Sequence, residues 1–296
     1  MSDRLYLVWL EWPEVCFRID AKALSELKRC VPKGSRVMRV RSERAFLRAL
    51  PRATHVLTWH FKSEWFASAP NLRLVATPAA GRELVPSTGP ETVTIHFGHY
   101  HGPIIAETVV AFMLAWCRGF FTLERREISN ETSGDWPRAW FSDKCRLLAG
   151  TKAVIIGYGH IGRAIGEKLQ ALGVSVVGVT RHRPAAKGLF KTADWVILAL
   201  PATRETDHYV DAAFLKGLSR GAILINIGRG NAIDEAALTD ALESGRLGGA
   251  YLDVREGEPK PRAIGHKNLV LSPHSSAFTP TYMTSFIREL VDDGVL

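Results

Sequence analysis

The sequence predicts an α/β protein: two Rossmann- or flavodoxin-like doubly wound parallel-sheet domains, with the active site in the cleft between them. Three observations carry that expectation. Short, continuously apolar runs alternate with helix-like amphipathic stretches along most of the chain, as in a parallel sheet covered on both faces. A G-x-G-x-x-G hexamer, Gly157-Tyr158-Gly159-His160-Ile161-Gly162, follows one such run. The length, 296 residues, suits one large domain or two medium ones.

In chain order, residues 5–10 read as a strand and 21–30 as an amphipathic helix that ends before Val31-Pro32. Residues 36–40, 55–59 and 72–76 read as further strands. Residues 104–121 are apolar and read as one buried helix, with Glu107 near its positive end. Residues 122–148 are polar and Trp-containing, an excursion suited to packing on a second subunit. The pattern then sharpens: strand 153–156, helix 161–172, strand 174–180, strands 194–200 and 222–227, helix 235–244, and strands 249–254 and 268–271. The expected domains are 102–276, binding the dinucleotide, and 1–101 with 277–296, binding substrate.

Composition narrows the class. With 46% apolar and 23% charged residues the chain is ordinary globular protein. The longest strongly apolar stretch, 108–116, is far short of the ~20 residues of a membrane span. The N-terminus opens with charges and has no secretory apolar region, and Cys16, Cys30, Cys117 and Cys145 are scattered. Both features fit a reducing cytoplasm. The net charge of +8 invites anionic partners. The densest basic group, Arg39, Arg41, Arg44, Arg48 and Arg52, contains no continuous run and reads as solvated surface. Small anions are therefore expected as ligands, not nucleic acid and not a membrane.

In the hexamer, Gly157 permits the tight turn, Gly159 lets backbone approach a pyrophosphate, and Gly162 lets helix pack on strand. His160 and Ile161 open the helix, whose N-terminus favours an anion. NAD sites place a carboxylate about 20 residues on. Here Thr180 stands there, followed by Arg181, His182 and Arg183. Guanidinium forks suit a 2′-phosphate, so NADP(H) is expected in preference to NAD(H).

Three polar residues follow late strands: Arg229 in Ile-Asn-Ile-Gly-Arg-Gly, Glu258 in Asp-Val-Arg-Glu-Gly-Glu-Pro, and His274 in Ser-Pro-His-Ser-Ser. Strand ends are where an open α/β sheet holds its ligands. In hydride transfer to a 2-keto carbon, negative charge grows on the keto oxygen. A protonated His274 can act as general acid, and a carboxylate beside it would favour the imidazolium. Arg229 can clamp the carboxylate and the keto oxygen.

These motifs, with Leu-Ala-Leu-Pro-Ala-Thr-Arg-Glu-Thr, resemble the cofactor domain of the D-isomer-specific 2-hydroxyacid dehydrogenases over residues 147–277. The resemblance implies Arg229, Glu258 and His274 as the catalytic set, and a homodimer. It places Pro201 and Thr206 near the nicotinamide side of the cofactor and Asp253 at its amide. It also implies that Ala80 and Gly81, in Ala79-Ala80-Gly81-Arg82-Glu83, offer backbone N–H groups to the substrate carboxylate. Trp59-His60 is similar to the Trp-His of bacterial glyoxylate/hydroxypyruvate reductases, where Trp59 would wall a small pocket, and Trp136 and Trp140 would cap the partner's pocket. Arg82 reads as a second anion contact or as a surface arginine paired with an acid. The reading is an NADPH-dependent reductase of a short 2-keto acid, glyoxylate or hydroxypyruvate. Its rivals are a reductase of a bulkier or doubly anionic acid and a non-catalytic, dinucleotide-sensing corepressor-like protein. His96, His99 and His101 read as crevice or loop histidines, because no acid or cysteine stands at ligand spacing near them in the sequence. No metal is expected.

Overall fold

The computed structural model describes residues 4–124, 141–186, 188–261 and 264–296. In chain order its main elements are β1 (Leu5–Trp9), α1 (Ala21–Cys30), β2 (Arg36–Arg39), α2 (Glu43–Ala49), β3 (His55–Thr58), β4 (Leu74–Thr77), β5 (Thr94–Phe97), α3 (His101–Cys117) and α4 (Phe120–Glu124), then β6 (Lys152–Ile156), α5 (His160–Ala171), β7 (Ser175–Val179), β8 (Trp195–Leu198), α6 (Ala212–Gly217), β9 (Ile223–Asn226), α7 (Glu235–Glu243), β10 (Gly249–Leu252), β11 (Leu269–Leu271) and α8 (Tyr282–Asp292). The chain divides into two compact units: Met1–His101 with Phe278–Leu296, and Gly102–Ala277.

The first unit is built on a parallel sheet in the order β2-β1-β3-β4-β5, a flavodoxin-like order. Its central strands β3 and β4 are buried throughout, while the outer strands β2 and β5 are only partly covered. Asp20 caps α1, its Oδ1 accepting from the Ala23 N–H at 2.7 Å. The stretch read as solvated basic surface contains α2. Ser42 caps this helix, and Arg44 and Arg48 share one face while Phe46 and Ala49 are buried. The arginines hid a helix whose apolar face is short. The terminal helix α8 contributes Tyr282, Phe286, Ile287 and Leu290 to this unit's interior. Its Arg288 Nε lies 3.0 Å from Glu26 Oε1 of α1.

The second unit carries a six-stranded parallel sheet, β11-β10-β9-β8-β6-β7. Strand order reverses beside β6, the switch point at which doubly wound sheets bind ligands. Successive residues of its strands alternate between two cores. Val154, Val196, Leu198, Leu224 and Leu252 face one core with Leu238 and Leu242 of α7. Ile155, Trp195, Ile197, Ile225 and Tyr251 face the other, with Val109 and Met113 of α3 and Ile165 and Leu169 of α5. That two-sided burial explains the uninterrupted apolar runs. The single helix expected over 104–121 stops at Cys117. Gly119 adopts φ +72° before α4 begins, and glycine takes that conformation without steric cost.

All four cysteines are free thiols. Among the described residues, no helix is long and apolar enough to cross a membrane. Trp136 and Trp140 lie outside the described residues.

Candidate active site

The glycine loop joins β6 to α5. Gly157 has φ +93°, and a Cβ there would stand 2.4 Å from the Ala199 carbonyl oxygen. A Cβ on Gly162 would stand 2.4 Å from Gly157 O. Only glycine fits either position. Gly159 differs: nothing lies within 4 Å of where its Cβ would be. Its missing side chain leaves open space at the helix N-cap, where no side chain caps α5. A pyrophosphate fits that space, with the positive helix end facing it. The Tyr158 ring fills a niche made by Gly166 and Gly178, where a Cβ would stand 2.6 Å from the Tyr158 hydroxyl and 2.3 Å from its Cγ, respectively. Sequence reasoning missed this contact; the two extra glycines were its signal.

After β7 the chain turns sharply. Thr180 N–H donates to Arg183 O at 3.0 Å, and Arg183 N–H donates to Thr180 Oγ1 at 3.0 Å. Arg181, His182 and Arg183 are all exposed on this turn. The carboxyl of Glu205 is held below the usual carboxylate range, first by the Thr203 hydroxyl and more weakly by the Arg181 charge. Thr206 Oγ1 donates to Pro201 O at 2.7 Å and accepts from Thr203 N–H at 2.9 Å, closing a capping box. Pro201 and Thr206 thus shape the loop after β8.

Arg229, Glu258 and His274 leave the carboxyl ends of β9, β10 and β11, three adjacent parallel strands. His274 Nδ1 lies 3.0 Å from Glu258 Oε2. The second oxygen of Glu258 accepts from Arg255 N–H at 2.6 Å. The Arg255 guanidinium in turn makes a bidentate pair with Glu235, at 2.7 and 2.8 Å. Both partners of that pair are nearly buried, so it holds the Glu258 loop against the start of α7. The Arg229 loop abuts the same loop: a Cβ on Gly230 would collide with the Arg255 backbone at 2.1 Å. Arg229 is half-buried, and its Nη1 donates to Gly228 O at 2.9 Å. The His274 imidazole is 54% exposed, open to a reactant.

The backbone of His274 has φ +54°, a left-handed conformation that costs a non-glycine residue of order 1–3 kcal/mol when it must be held. Asp253 holds it. The Asp253 backbone carbonyl accepts from His274 N–H at 2.8 Å. Its fully buried carboxylate accepts from Ser272 Oγ at 2.6 Å, Ser275 N–H at 2.8 Å and Ser276 N–H at 3.1 Å. Tyr251 extends the chain, its hydroxyl 2.8 Å from Ser272 Oγ. Burial pushes that phenol up to about 12. The resemblance implies a place for Asp253 at the cofactor amide; within the protein its side chain contacts the loop that carries His274.

Other expected residues serve the first unit. Trp59 is buried, donates from Nε1 to Phe17 O at 2.9 Å, and packs among Trp12, Phe17 and Tyr282. It is a packed aromatic with little exposed surface. Ala80 is exposed and Gly81 half-buried in the loop after β4. The Arg82 guanidinium lies 5.3 Å over the Phe97 ring, a cation–π contact. The reason given for discounting His96 and His99 fails. Two acids do stand beside them, Glu289 and Asp293, supplied by α8. Nothing near residues 96–101 in the sequence signalled them.

The fold and the glycine-loop geometry define a dinucleotide-binding α/β protein whose strand ends carry a histidine–carboxylate pair. Residues 110–276 match the family model described as D-isomer specific 2-hydroxyacid dehydrogenase, NAD binding domain. A glyoxylate reductase of Thermococcus kodakarensis is 31% identical over 245 residues, 76% of this chain and 73% of that one. A glycerate dehydrogenase of Methylorubrum extorquens is 28% identical over 248 residues, 78% of each. Among solved structures, a D-isomer specific 2-hydroxyacid dehydrogenase from Xanthobacter autotrophicus in complex with NADPH and MES is similar. Its TM-score is 0.76 at 26% identity, covering 99% of this chain and 96% of that one. The chain belongs to the D-isomer specific 2-hydroxyacid dehydrogenase family. It is an oxidoreductase that uses a nicotinamide dinucleotide.

Proposed function

We propose that this protein reduces a short 2-keto acid, glyoxylate or hydroxypyruvate, to the D-2-hydroxy acid with NADPH as the preferred donor. The nicotinamide, when bound, supplies the hydride. Gly157, Gly159 and Gly162 would admit its pyrophosphate to the N-terminus of α5. Arg181 and Arg183 would take the 2′-phosphate, since the turn after β7 offers two guanidiniums and no carboxylate.

His274 acts as the general acid. Glu258 Oε2 accepts at Nδ1, which fixes the ring and leaves Nε2 to carry the proton given to the keto oxygen. The Arg255–Glu235 pair and the Asp253 clamp keep acid and partner in place before substrate arrives. Arg229 neutralises the substrate carboxylate and the oxygen on which charge grows.

The observation that carries this reading is the 3.0 Å His274–Glu258 contact on a loop held in a left-handed conformation. Support for the substrate comes from relatives named glyoxylate reductase, and support for the cofactor from the basic turn. The test is NADPH oxidation against a panel of 2-keto acids, with kcat/KM for NADPH and NADH measured side by side. Turnover fastest on two- and three-carbon keto acids, with NADPH preferred, is expected. Tight NADPH binding without turnover on any acid would replace the enzyme reading with a dinucleotide sensor.

A further inference from the structure

The first unit contains a cluster that hydride transfer does not use. His96 lies on β5 and His99 just beyond it, while Glu289 and Asp293 lie at the end of α8. One ligand atom from each falls within 4.8 Å of all the others. His96 Nε2 is 3.1 Å from Glu289 Oε1 and 4.0 Å from Asp293 Oδ2. His99 Nε2 is 2.8 Å from Asp293 Oδ2, and His99 Nδ1 is 3.1 Å from Glu289 Oε2. We propose that His96, His99, Glu289 and Asp293 form a binding site for a divalent cation of the zinc class, a structural clip between β5 and α8.

Three physical arguments converge on it. The first is donor geometry. Four ligands on a tetrahedral ion with bonds of about 2.0–2.1 Å stand about 3.3 Å apart. Separations of 2.8, 3.1 and 4.0 Å bracket that value, and one ligand atom from each residue lies within 4.8 Å of the others, so side-chain shifts of about 1–2 Å, chiefly of the more exposed His99 and Asp293, complete the shell. The donor set, two imidazoles and two carboxylates, is one that zinc accepts.

The second argument is electrostatic. Glu289, Asp292 and Asp293 crowd the carboxyl end of α8, and its last turn has no basic residue. Acids there oppose the helix dipole, and an i,i+4 acid pair repels. Glu289 points inward, its side chain only 5% exposed, and buried charge calls for a paired cation or a metal. Its Oε2 already accepts from the His99 backbone N–H at 2.8 Å, which orients the carboxylate as an outer-shell partner orients a ligand.

The third argument is placement. The two halves of the cluster are about 190 residues apart in the chain. A cation there would join the edge strand β5 to the terminal helix of the same unit. A cation bound to the folded state alone raises stability with metal concentration. The alternative is a metal-free network of protonated histidines and carboxylates, which has the same contacts and no affinity for zinc.

The experiment is zinc titration of the full-length protein by calorimetry after chelator dialysis. Melting temperature with and without zinc, and the visible absorption of added Co2+, are measured in parallel. The expected result is one saturable site, a higher melting temperature with zinc, and the intense absorption of four-coordinate Co2+. In Asp293→Asn and in His99→Ala the affinity should fall by more than the ~10–100-fold that loss of an outer partner costs. His208→Ala, an exposed histidine beside Glu256, should bind as the wild type does. Asp293→Asn keeps the shape of a half-exposed side chain, so it reports on binding even if His99→Ala misfolds. Absence of a saturable site, or binding that survives Asp293→Asn with affinity and Co2+ spectrum unchanged, would overturn the proposal.

Discussion

The two units share an architecture, a parallel sheet with helices, yet they place their polar chemistry differently. In the second unit it is local. The glycine loop spans six residues, and Asp253 grips a loop that ends 23 residues later at Ser276. In the first unit the polar cluster is assembled from β5 and the end of α8, about 190 residues apart in the chain. Chemistry set by backbone geometry leaves a readable motif, whereas chemistry set by long-range packing leaves none.

The contrast can be broken most severely at Asp253. Asp253→Ala should strand the Ser275 and Ser276 N–H groups, leave Ser272 with Tyr251 alone, and release the strained His274 backbone. At ~1–3 kcal/mol per buried unsatisfied group, the expected loss is about 3 kcal/mol or more in urea unfolding, with kcat falling as the loop relaxes. An unchanged midpoint would mean that the loop is held by something else.

A smaller effect is expected at the basic turn. Arg183→Ala removes a charge-assisted contact worth ~1.5–3 kcal/mol, so kcat/KM with NADPH should fall about 10–100-fold while that with NADH barely moves. Equal losses with both donors would detach the turn from the 2′-phosphate. Gly159→Ala sharpens the same point. Its Cβ meets no protein atom, so the melting temperature should hold while cofactor affinity drops. Gly162→Ala, which meets backbone at 2.4 Å, should lose both.

A further effect, confined to acid pH, lies in the first unit. His55 stacks on Tyr6 with ring centroids 4.3 Å apart. Burial, helped by the Arg4 and Arg73 charges, lowers its pKa to about 4. The fold therefore prefers the neutral ring. The resulting stability is complete above the unfolded value of about 6.5 and is lost as pH falls towards 4. We expect roughly 3 kcal/mol of loss across that window, read from urea midpoints. His55→Phe keeps the stacked ring and should flatten the dependence; a slope equal to the wild type would remove His55 as its source.

Much of the second unit was legible in sequence. Its central strands are buried on both faces, so the apolar runs at 153–156 and 222–225 were unbroken, and Gly157 and Gly162 stand where any side chain would collide. The first unit was less so. α2 was masked because its outer face carries Arg44 and Arg48 over one short buried face. β5 is a half-covered edge strand whose four residues, Thr94-Ile95-His96-Phe97, include a threonine and a histidine, so no continuous apolar run marks it. The packing of Trp59 among Trp12, Phe17 and Tyr282 was not legible either, because a tryptophan after a strand reads the same whether it lines a cavity or fills one. The acids beside His96 and His99 could not be seen at all, since sequence spacing detects ligands only when they are neighbours in the chain. Within the second unit, the hold of the Asp253 side chain on the His274 loop was not read, and the serines flanking His274 were the available clue.

The central claim is that His274, held by Asp253 and paired with Glu258, delivers the proton to the keto oxygen. The most direct measurement is the single-turnover rate of NADPH oxidation by His274→Gln with saturating glyoxylate, alongside NADPH affinity. The account predicts unchanged cofactor binding and a rate at least ~100-fold slower. A rate within a few-fold of the wild type, with NADPH bound equally well, would contradict it.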